Sequence, residues 1–336
     1  MQWLSYRVQR GMKKLFFIVF IGVCSILRAQ DAQFSHLFAT SAYNNPAFTG
    51  LAKEARFTFD TRLQWAGLPG AFVTQYAMTD YFHDAAKSGF GLMLVSDKSG
   101  GGLLNNTGVN GMYAYELGIN NNWTARGGLR VGYYKTSLDA NQLIFGDQQD
   151  GGVSQQPINS VYNVSYIDIA AGGLIYSNQL WVSLGVHHLN QPDLSFSGNT
   201  SSTLPMRISI SGGAKIVLRD TYGPIQNGID LFPAFHLRSQ GSFKQLDLGT
   251  YFKYSALLIG AFYRGLPVSN FGFKQNDAVA LIAGFQLEKI TLNYSYDYSL
   301  SAIKGVAGSS HEVSLVYEFG LMKRWSPEKR ERGFVF

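Results

Sequence analysis

A strict two-residue alternation of apolar and polar side chains, in runs of about ten residues, most constrains the fold of this chain. In residues 289–298 one face carries Ile290, Leu292, Tyr294, Tyr296 and Tyr298, and the other carries Thr291, Asn293, Ser295 and Asp297. The same alternation recurs in residues 56–65, 207–218 and 312–319. Successive side chains of a strand point to opposite faces, whereas a helix needs a period of about 3.6, so the pattern predicts an all-β chain.

Fourteen such runs follow one another, centred near residues 60, 76, 92, 112, 128, 170, 183, 212, 233, 249, 260, 282, 293 and 315. An even strand number is typical of bacterial outer-membrane barrels, whose tilted strands need about 9–11 residues to cross the apolar layer. Strands of soluble domains average nearer to about five or six residues. The runs therefore predict a transmembrane antiparallel β-barrel of about 14 strands.

The connections between the runs mostly alternate in length, as expected for long outer loops and short periplasmic turns. The predicted outer loops include 96–108, 136–164 and 189–204, and tight turns are predicted at 120–122 and 177–179. This alternation predicts that both mature termini are periplasmic. A soluble β-sandwich or propeller is the alternative, but it would leave Tyr294, Tyr296 and Tyr298 as an uncovered apolar patch.

The first 29 residues have the layout of a secretory signal peptide, in which basic residues precede a short apolar run. That run, residues 15–23, is too short for a helix that spans the roughly 30 Å hydrocarbon core. Leu27 and Ala29 occupy cleavage-site positions and make Gln30 the expected mature N-terminus, with a lipidated Cys24 as the alternative. Removing residues 1–29 takes away five positive charges and no negative one, so the formal charge of +6 becomes +1.

The mature chain lacks the features that several function classes need. Its basic residues are scattered among a nearly equal number of acids, which does not favour nucleic-acid binding. Cys24 is the only cysteine, so its removal excludes disulfides, thiolate metal sites and cysteine nucleophiles. No motif for a nucleophile elbow, a zinc-binding helix or a phosphate loop occurs. The sequence therefore predicts no enzyme, no cofactor and no metal site.

Histidine and serine positions give no clear chemistry. His187 and His188 are adjacent in a predicted strand and are expected on opposite faces, while His36, His83 and His236 have no carboxylate or second histidine at ligand spacing. The strongest catalytic candidate is the run Ser309-Ser310-His311-Glu312. Adjacent residues of this run point to opposite sides of a strand, so they cannot form a catalytic relay among themselves. Barrel-wall catalysis with a residue from an adjacent strand stays open, and the simpler interpretation is a strand that begins at the outer rim.

Charged residues on the predicted inward face carry more information than any motif. Eight are positive and six are negative, namely Arg56, Asp60, Arg62, Arg126, Arg130, Asp168, Arg207, Lys215, Asp247, Lys253, Arg264, Asp297, Glu312 and Glu318. Charges removed from bulk water are costly unless they are paired. A nearly balanced set therefore favours an ion-paired, filled lumen over a selective pore.

Several segments are distinctive in their order and spacing, namely Gln33-Phe34-Ser35, Asn45-Pro46-Ala47-Phe48-Thr49-Gly50, Arg62-Leu63-Gln64-Trp65, Gly89-Phe90-Gly91-Leu92, Gly260-Ala261-Phe262-Tyr263-Arg264, Tyr294-Ser295-Tyr296-Asp297-Tyr298 and Gly308-Ser309-Ser310-His311-Glu312-Val313-Ser314-Leu315. The last two are the most specific, and Ser310, His311 and Glu312 lie in the final one. Together the segments resemble the PorP/SprF family of outer-membrane proteins, which is linked to the type IX secretion system and gliding motility of Bacteroidetes.

The resemblance implies a secretion accessory rather than a catalyst. Relatives sit beside the type IX machinery or help a large adhesin to reach and stay on the cell surface, and some contact a periplasmic, peptidoglycan-binding lipoprotein. A diffusion porin or hydrophobic-solute transporter is the alternative. The expected organisation is a cleaved signal peptide at 1–29, a segment at 30–54 that can fold into the lumen as a plug, the barrel at 55–321 and a basic periplasmic tail at 322–336.

Overall fold

The alternating runs form antiparallel strands in a computed structural model, which describes residues 31–52, 54–142, 161–196, 201–219, 228–265, 278–300 and 304–319. The strands are β1 Ala55–Gln64, β2 Phe72–His83, β3 Ser88–Ser99, β4 Leu104–Gly118, β5 Thr124–Asp139, β6 Val161–Tyr176, β7 Leu180–His187, β8 Arg207–Ala214, β9 Ile216–Arg219, β10 Ile229–Gln240, β11 Phe243–Tyr254, β12 Leu257–Gly265, β13 Ala278–Gln286, β14 Ile290–Ser299 and β15 Ser310–Phe319. The predicted signal peptide at 1–29 and the tail at 322–336 lie outside the described residues and stay predictions.

The sheet closes on itself into a barrel. β1 pairs with β2 on one side and with β15 on the other, from Ala55 opposite Phe319 to Leu63 opposite His311. β8 and β9 both pair with β10, and only Lys215 separates them, so the 15 strands occupy fourteen positions in the wall. Each position contains one of the fourteen runs, which confirms the predicted antiparallel barrel.

Three neighbouring strands are longer than the sequence pattern indicated. β4 has 15 residues, and β5 and β6 have 16 each. Because Ser99 pairs with Leu104 and Asp139 pairs with Val161, the predicted loops 96–108 and 136–164 are too long. The extensions mix polar and apolar residues without a regular alternation, and they are held by hydrogen bonds such as Thr136 Oγ1 to Asn106 Oδ1 at 3.1 Å.

The two barrel ends differ in their connections. We call the end with connections 140–160, 188–206 and 266–277 the loop end, and the end with connections 84–87, 177–179, 255–256 and 287–289 the turn end. The outer wall between them is apolar, with exposed side chains that include Leu92, Leu129, Ile167, Leu248 and Leu292. Such a continuous apolar surface matches lipid rather than water. Among the described residues, no helix is both long and apolar enough to cross a membrane.

Residues 32–52, here called the inner segment, contain the short helix Ser41–Asn44 and the single-turn 3-10 helix Pro46–Phe48. Asn45 caps the second helix by accepting a hydrogen bond from the Ala47 N–H at 2.9 Å. Pro46 occupies the first helical position, where its missing N–H costs nothing. The apolar side chains of the segment are buried in one cluster with inward-facing side chains of the wall, among them Tyr76, Met93, Trp181 and Tyr251.

The inner segment lies directly against the wall of β5 and β6. A Cβ atom on Gly128 would collide with the backbone of Pro46 and Ala47, whereas a Cβ atom on Gly127 would meet nothing within 4 Å. The Asn45 side chain donates a hydrogen bond to the Gly173 carbonyl at 3.0 Å. Glycine at 128 is therefore what allows the Asn-Pro-Ala sequence to approach the wall closely.

Candidate functional site: the ion-paired lumen

Six buried residues, here called the ionic cluster, lie toward the loop end of the lumen: His36, Asp60, Arg62, Arg264, Asp297 and Glu312. Arg62 Nη2 lies 2.6 Å from Asp297 Oδ2, and Arg62 Nη1 lies 2.9 Å from Glu312 Oε2. Arg264 Nη1 lies 2.6 Å from the same oxygen of Asp297. These ion pairs connect β1, β12, β14 and β15 across the inside of the barrel.

The inner segment enters the ionic cluster through Ser35 and His36. Their backbone N–H groups donate hydrogen bonds to Glu312 Oε2 at 2.7 Å and Glu312 Oε1 at 2.9 Å. Ser35 Oγ accepts hydrogen bonds from Arg62 and Arg264, each at 2.6 Å, and donates to Asp297 at 2.9 Å. The Gln-Phe-Ser sequence before the barrel is thus held by charges that belong to four wall strands.

The His36 ring lies between two carboxylates. Its Nδ1 is 3.3 Å from Asp60 Oδ2 and 3.3 Å from Glu312 Oε1. Burial lowers the pKa of His36, but the negative charges of Glu312, Asp60 and Asp297 outweigh this effect, so its pKa lies above the ordinary value. The expectation that His36 has no carboxylate at ligand spacing is wrong, because barrel closure brings together residues that are 24 and 276 positions apart.

A second ion pair, between Arg56 and Asp80, lies toward the turn end of the lumen. Arg56 donates two hydrogen bonds to Asp80, both at 3.0 Å, and Asp80 also accepts the Gly50 N–H at 2.6 Å. Gly50 has a φ of 69°, a left-handed conformation that favours glycine. The end of the Asn-Pro-Ala-Phe-Thr-Gly sequence is therefore attached to β2 through a buried carboxylate.

A third set lies on β5 and β6. Arg130 Nη2 is 2.9 Å from Asp168 Oδ2, and His188 Nδ1 is 2.7 Å from Asp168 Oδ1. The guanidinium of Arg207 lies 4.9 Å from the centre of the Tyr43 ring, and Arg126 donates to the Thr49 carbonyl. Cations from several strands thus contact the backbone or rings of the inner segment.

The predicted inward charges fall into two groups by burial. Ten are buried, namely Arg56, Asp60, Arg62, Arg126, Arg130, Asp168, Arg207, Arg264, Asp297 and Glu312. Four are half-buried, namely Lys215, Asp247, Lys253 and Glu318. Asp247 Oδ2 lies 2.6 Å from Arg238, and Lys215 Nζ lies 3.4 Å from Asp230.

Sequence reasoning missed three buried inward-facing groups, Asp80, His236 and Arg238. His236 and Arg238 share the parity of Phe232 and Ala234 in β10, so a face assignment for that strand could have found them. Asp80 is harder to find, because the inward face of β2 also carries the buried apolar residues Tyr76 and Met78.

The expectation that His187 and His188 point to opposite faces is wrong. β7 ends at His187, and His188 has a left-handed φ of 57°, so the strand alternation stops between them. Both side chains are buried. They contact different partners, since His187 Nε2 lies 2.7 Å from the Asn44 carbonyl oxygen and His188 binds Asp168.

The run Ser309-Ser310-His311-Glu312 begins β15 at the loop end and alternates sides. Ser310 and Glu312 are buried in the interior, where Ser310 Oγ accepts the Trp65 N–H at 3.2 Å. Ser309 Oγ lies 2.7 Å from the Tyr296 hydroxyl, and His311 Nδ1 lies 2.8 Å from the Tyr294 hydroxyl. Ser309, Ser310 and His311 therefore each contact a different group. Ser309 and His311 bind the hydroxyls of Tyr296 and Tyr294 from β14.

A cavity of about 40 Å³ lies beside the inner segment, toward the turn end. Its lining is mainly apolar and includes Phe48, Leu51, Tyr251, Leu258 and Ile282. His36 also lines it, which connects the cavity with the ionic cluster. Toward the turn end of the lumen, this mainly apolar cavity thus lies next to the Arg56–Asp80 pair, because Arg56 also lines it.

An antiparallel barrel with an apolar outer wall and charges inside defines an outer-membrane β-barrel protein. A family model described as type IX secretion system membrane protein PorP/SprF matches residues 26–317. The chain therefore belongs to the PorP/SprF family, which confirms the resemblance given by its motifs. This family is a secretion-system membrane family and not an enzyme family. A comparison with curated proteins found no match.

Two solved structures are similar to this chain at low sequence identity. The CymD monoaromatic hydrocarbon channel is 13% identical with a TM-score of 0.46, and the match covers 87% of this chain and 95% of the channel. A Pseudomonas aeruginosa FadL homologue is 12% identical with a TM-score of 0.44, and the match covers 84% of this chain and 94% of the homologue. These likenesses concern the barrel fold alone.

Proposed function

We propose that this barrel is an accessory of type IX secretion that works by docking rather than by conducting solutes. Its loop end contacts an exported partner, such as a large adhesin, and helps that partner to reach or stay on the cell surface. Its turn end faces the periplasm and contacts the secretion apparatus, in particular a peptidoglycan-binding lipoprotein. Membership of the PorP/SprF family supports the link to secretion.

The observation that carries the proposal is the attachment of the inner segment to the wall. Ser35 contacts Arg62, Arg264 and Asp297, and Gly50 contacts Asp80, so the segment is held near both of its ends. A barrel that conducts by diffusion keeps the charges of its lumen solvated, whereas these charges pair with one another and with the inner segment. Because the charges of the lumen bind the inner segment, the two rims of the barrel are the surfaces that remain available to bind partner proteins.

A diffusion porin or hydrophobic-solute transporter is the competing function. It requires a continuous passage, and the cavity of about 40 Å³ at the turn end would be one part of such a passage. The ionic cluster stands between that cavity and the loop end. Docking and conduction therefore differ in whether the inner segment blocks ion flow.

Deleting residues 146–158 tests the docking role of the loop end. These residues lie outside the described part of the chain, in the longest predicted outer loop, which is rich in Gln, Asn, Gly and Asp around a few apolar residues. We expect their deletion to leave barrel assembly intact and to reduce secretion or surface display of one cognate protein. A scrambled replacement of equal length is the matched control for loop length, and it should show the same defect as the deletion.

The readouts are the secreted and surface proteomes, surface adhesins and gliding, with heat-modifiable electrophoretic mobility as the check on assembly. Crosslinking from the loop end in living cells identifies the partner. Unchanged secretion, adhesins and gliding after both the loop deletion and deletion of the whole gene would contradict the proposed function.

A further inference from the structure

Three atoms of metal-ligand type converge inside the ionic cluster. His36 Nδ1 lies 3.3 Å from Asp60 Oδ2 and 3.3 Å from Glu312 Oε1, and the three groups have ligand atoms within 4.8 Å of one another. All three residues are buried. Ligands of a tetrahedral ion with bonds of about 2.0–2.2 Å lie about 3.3–3.6 Å apart. The two distances from His36 Nδ1 therefore match two edges of such a coordination shell.

The 3.3 Å distances from His36 Nδ1 to the two carboxylate oxygens are longer than those of a direct ion pair. A charge-assisted hydrogen bond between an imidazole and a carboxylate has a length of about 2.7–2.9 Å. His188 and Asp168 form such a contact in the same lumen, with Nδ1 and Oδ1 only 2.7 Å apart. The barrel can thus bring a histidine and an aspartate into close contact, yet His36 stays 3.3 Å from each of two carboxylates.

One ligand-type atom of these residues, Asp60 Oδ1, is buried without a hydrogen-bond partner. Asp60 is fully buried, at 0% exposure. The nearby guanidinium groups of Arg62 and Arg264 pair with Asp297, Glu312 and Asp247, which leaves His36 as the close partner of Asp60. A buried carboxylate with one long contact is costly unless a cation balances it.

The cavity at the turn end reaches one of the three residues. His36 lines this cavity together with Ser41 and Asn293. The cavity volume of about 40 Å³ is enough for a water molecule next to His36.

We propose that His36, Asp60 and Glu312 bind one divalent transition-metal ion, best matched by Zn²⁺. A donor set of one imidazole and two carboxylates suits Zn²⁺ and related ions, whereas Mg²⁺ and Ca²⁺ prefer oxygen ligands throughout. Asp60 lies in β1 and Glu312 in β15, and these strands pair where the barrel closes. The ion therefore joins the inner segment to both strands of the closing seam.

The test uses the full mature barrel, purified in detergent without a histidine tag, stripped with EDTA and titrated with Zn²⁺ against a chromophoric chelator. We expect about one Zn²⁺ per chain, with affinity lowered at least about tenfold in His36→Gln and in Asp60→Asn. The matched control is His188→Gln, which changes the histidine of the 2.7 Å pair and should bind Zn²⁺ like the unmodified protein.

Two further measurements distinguish loss of the metal site from misfolding of a variant. His36→Gln changes the inner segment rather than the wall, and heat-modifiable mobility reports whether each barrel is assembled. Co²⁺ bound to the unmodified protein should give the visible absorption bands of a four-coordinate site with nitrogen and oxygen ligands. Failure to bind Zn²⁺ or Co²⁺, or equal affinity in His36→Gln and His188→Gln, would overturn the proposal and leave a protonated His36 paired with two carboxylates.

Discussion

Arg62 Nη2 and Asp297 Oδ2 lie 2.6 Å apart, although the two residues are separated by 235 positions in the sequence. Arg62 belongs to β1 and Asp297 to β14, so their ion pair reaches across β15 on the inside of the wall. Both side chains are buried. The pair therefore holds three neighbouring wall strands together at the place where the barrel closes.

Replacing Arg62 with methionine should destabilise the assembled barrel strongly. The change leaves Asp297 and Glu312 buried with fewer partners, and breaking a buried pair costs about 3–5 kcal/mol. Urea unfolding followed by heat-modifiable mobility measures this cost. Lys244→Met removes an exposed cation at the loop end and should change stability by no more than about 0.5 kcal/mol. Equal stability of the two variants would show that the ionic cluster does not hold the barrel together.

Gly128→Val should displace the inner segment, because a Cβ atom there collides with Pro46 and Ala47. Hydrogen–deuterium exchange of residues 32–52 should become faster in this variant. Gly127→Val is the matched neighbour, since position 127 faces outward into open space, and exchange should stay unchanged there. Similar exchange in both variants would mean that close packing at position 128 does not hold the segment.

Strand positions and faces could be predicted from the sequence because two-residue alternation is local. Alternation places Leu292 and Asn293 on opposite faces, and β14 agrees. The contacts within the lumen could not be predicted, since they join residues that only barrel closure brings together, such as His36 and Glu312. The inward orientation of Asp80 could not be predicted, because Tyr76 and Met78 on the same face pack against the inner segment. The inward face of β2 is therefore apolar as well, and polarity does not distinguish its two faces.

Leu292→Arg should be far more harmful than Asn293→Arg. Leu292 is 49% exposed on the lipid-facing wall, where an arginine costs up to about 2–4 kcal/mol, the value that applies at mid-membrane. Asn293 lines the cavity at the turn end, which can accommodate a polar side chain. The yield of heat-modifiable barrel in outer-membrane fractions compares the two, and equal tolerance would show that the face assignment is wrong.

Single-cysteine labelling tests the orientation of the barrel. Asn141 is exposed at the loop end and Asn178 at the turn end. We expect a membrane-impermeant maleimide to label Asn141→Cys on whole cells and to label Asn178→Cys only after the outer membrane is opened. Cys24, the one native cysteine, lies in the predicted signal peptide and should not interfere. Labelling of position 178 but not 141 on whole cells would invert the orientation.

The most direct test of the proposed docking function is the single-channel conductance of the purified barrel in planar bilayers. A lumen filled by the inner segment blocks ion flow, whereas the open lumen of a diffusion porin conducts ions. We expect the unmodified protein to show no large, steady conductance, and a variant without residues 32–52 that still assembles to show open channels. Large, steady conductance from the unmodified protein, unchanged when residues 32–52 are removed, would contradict the account.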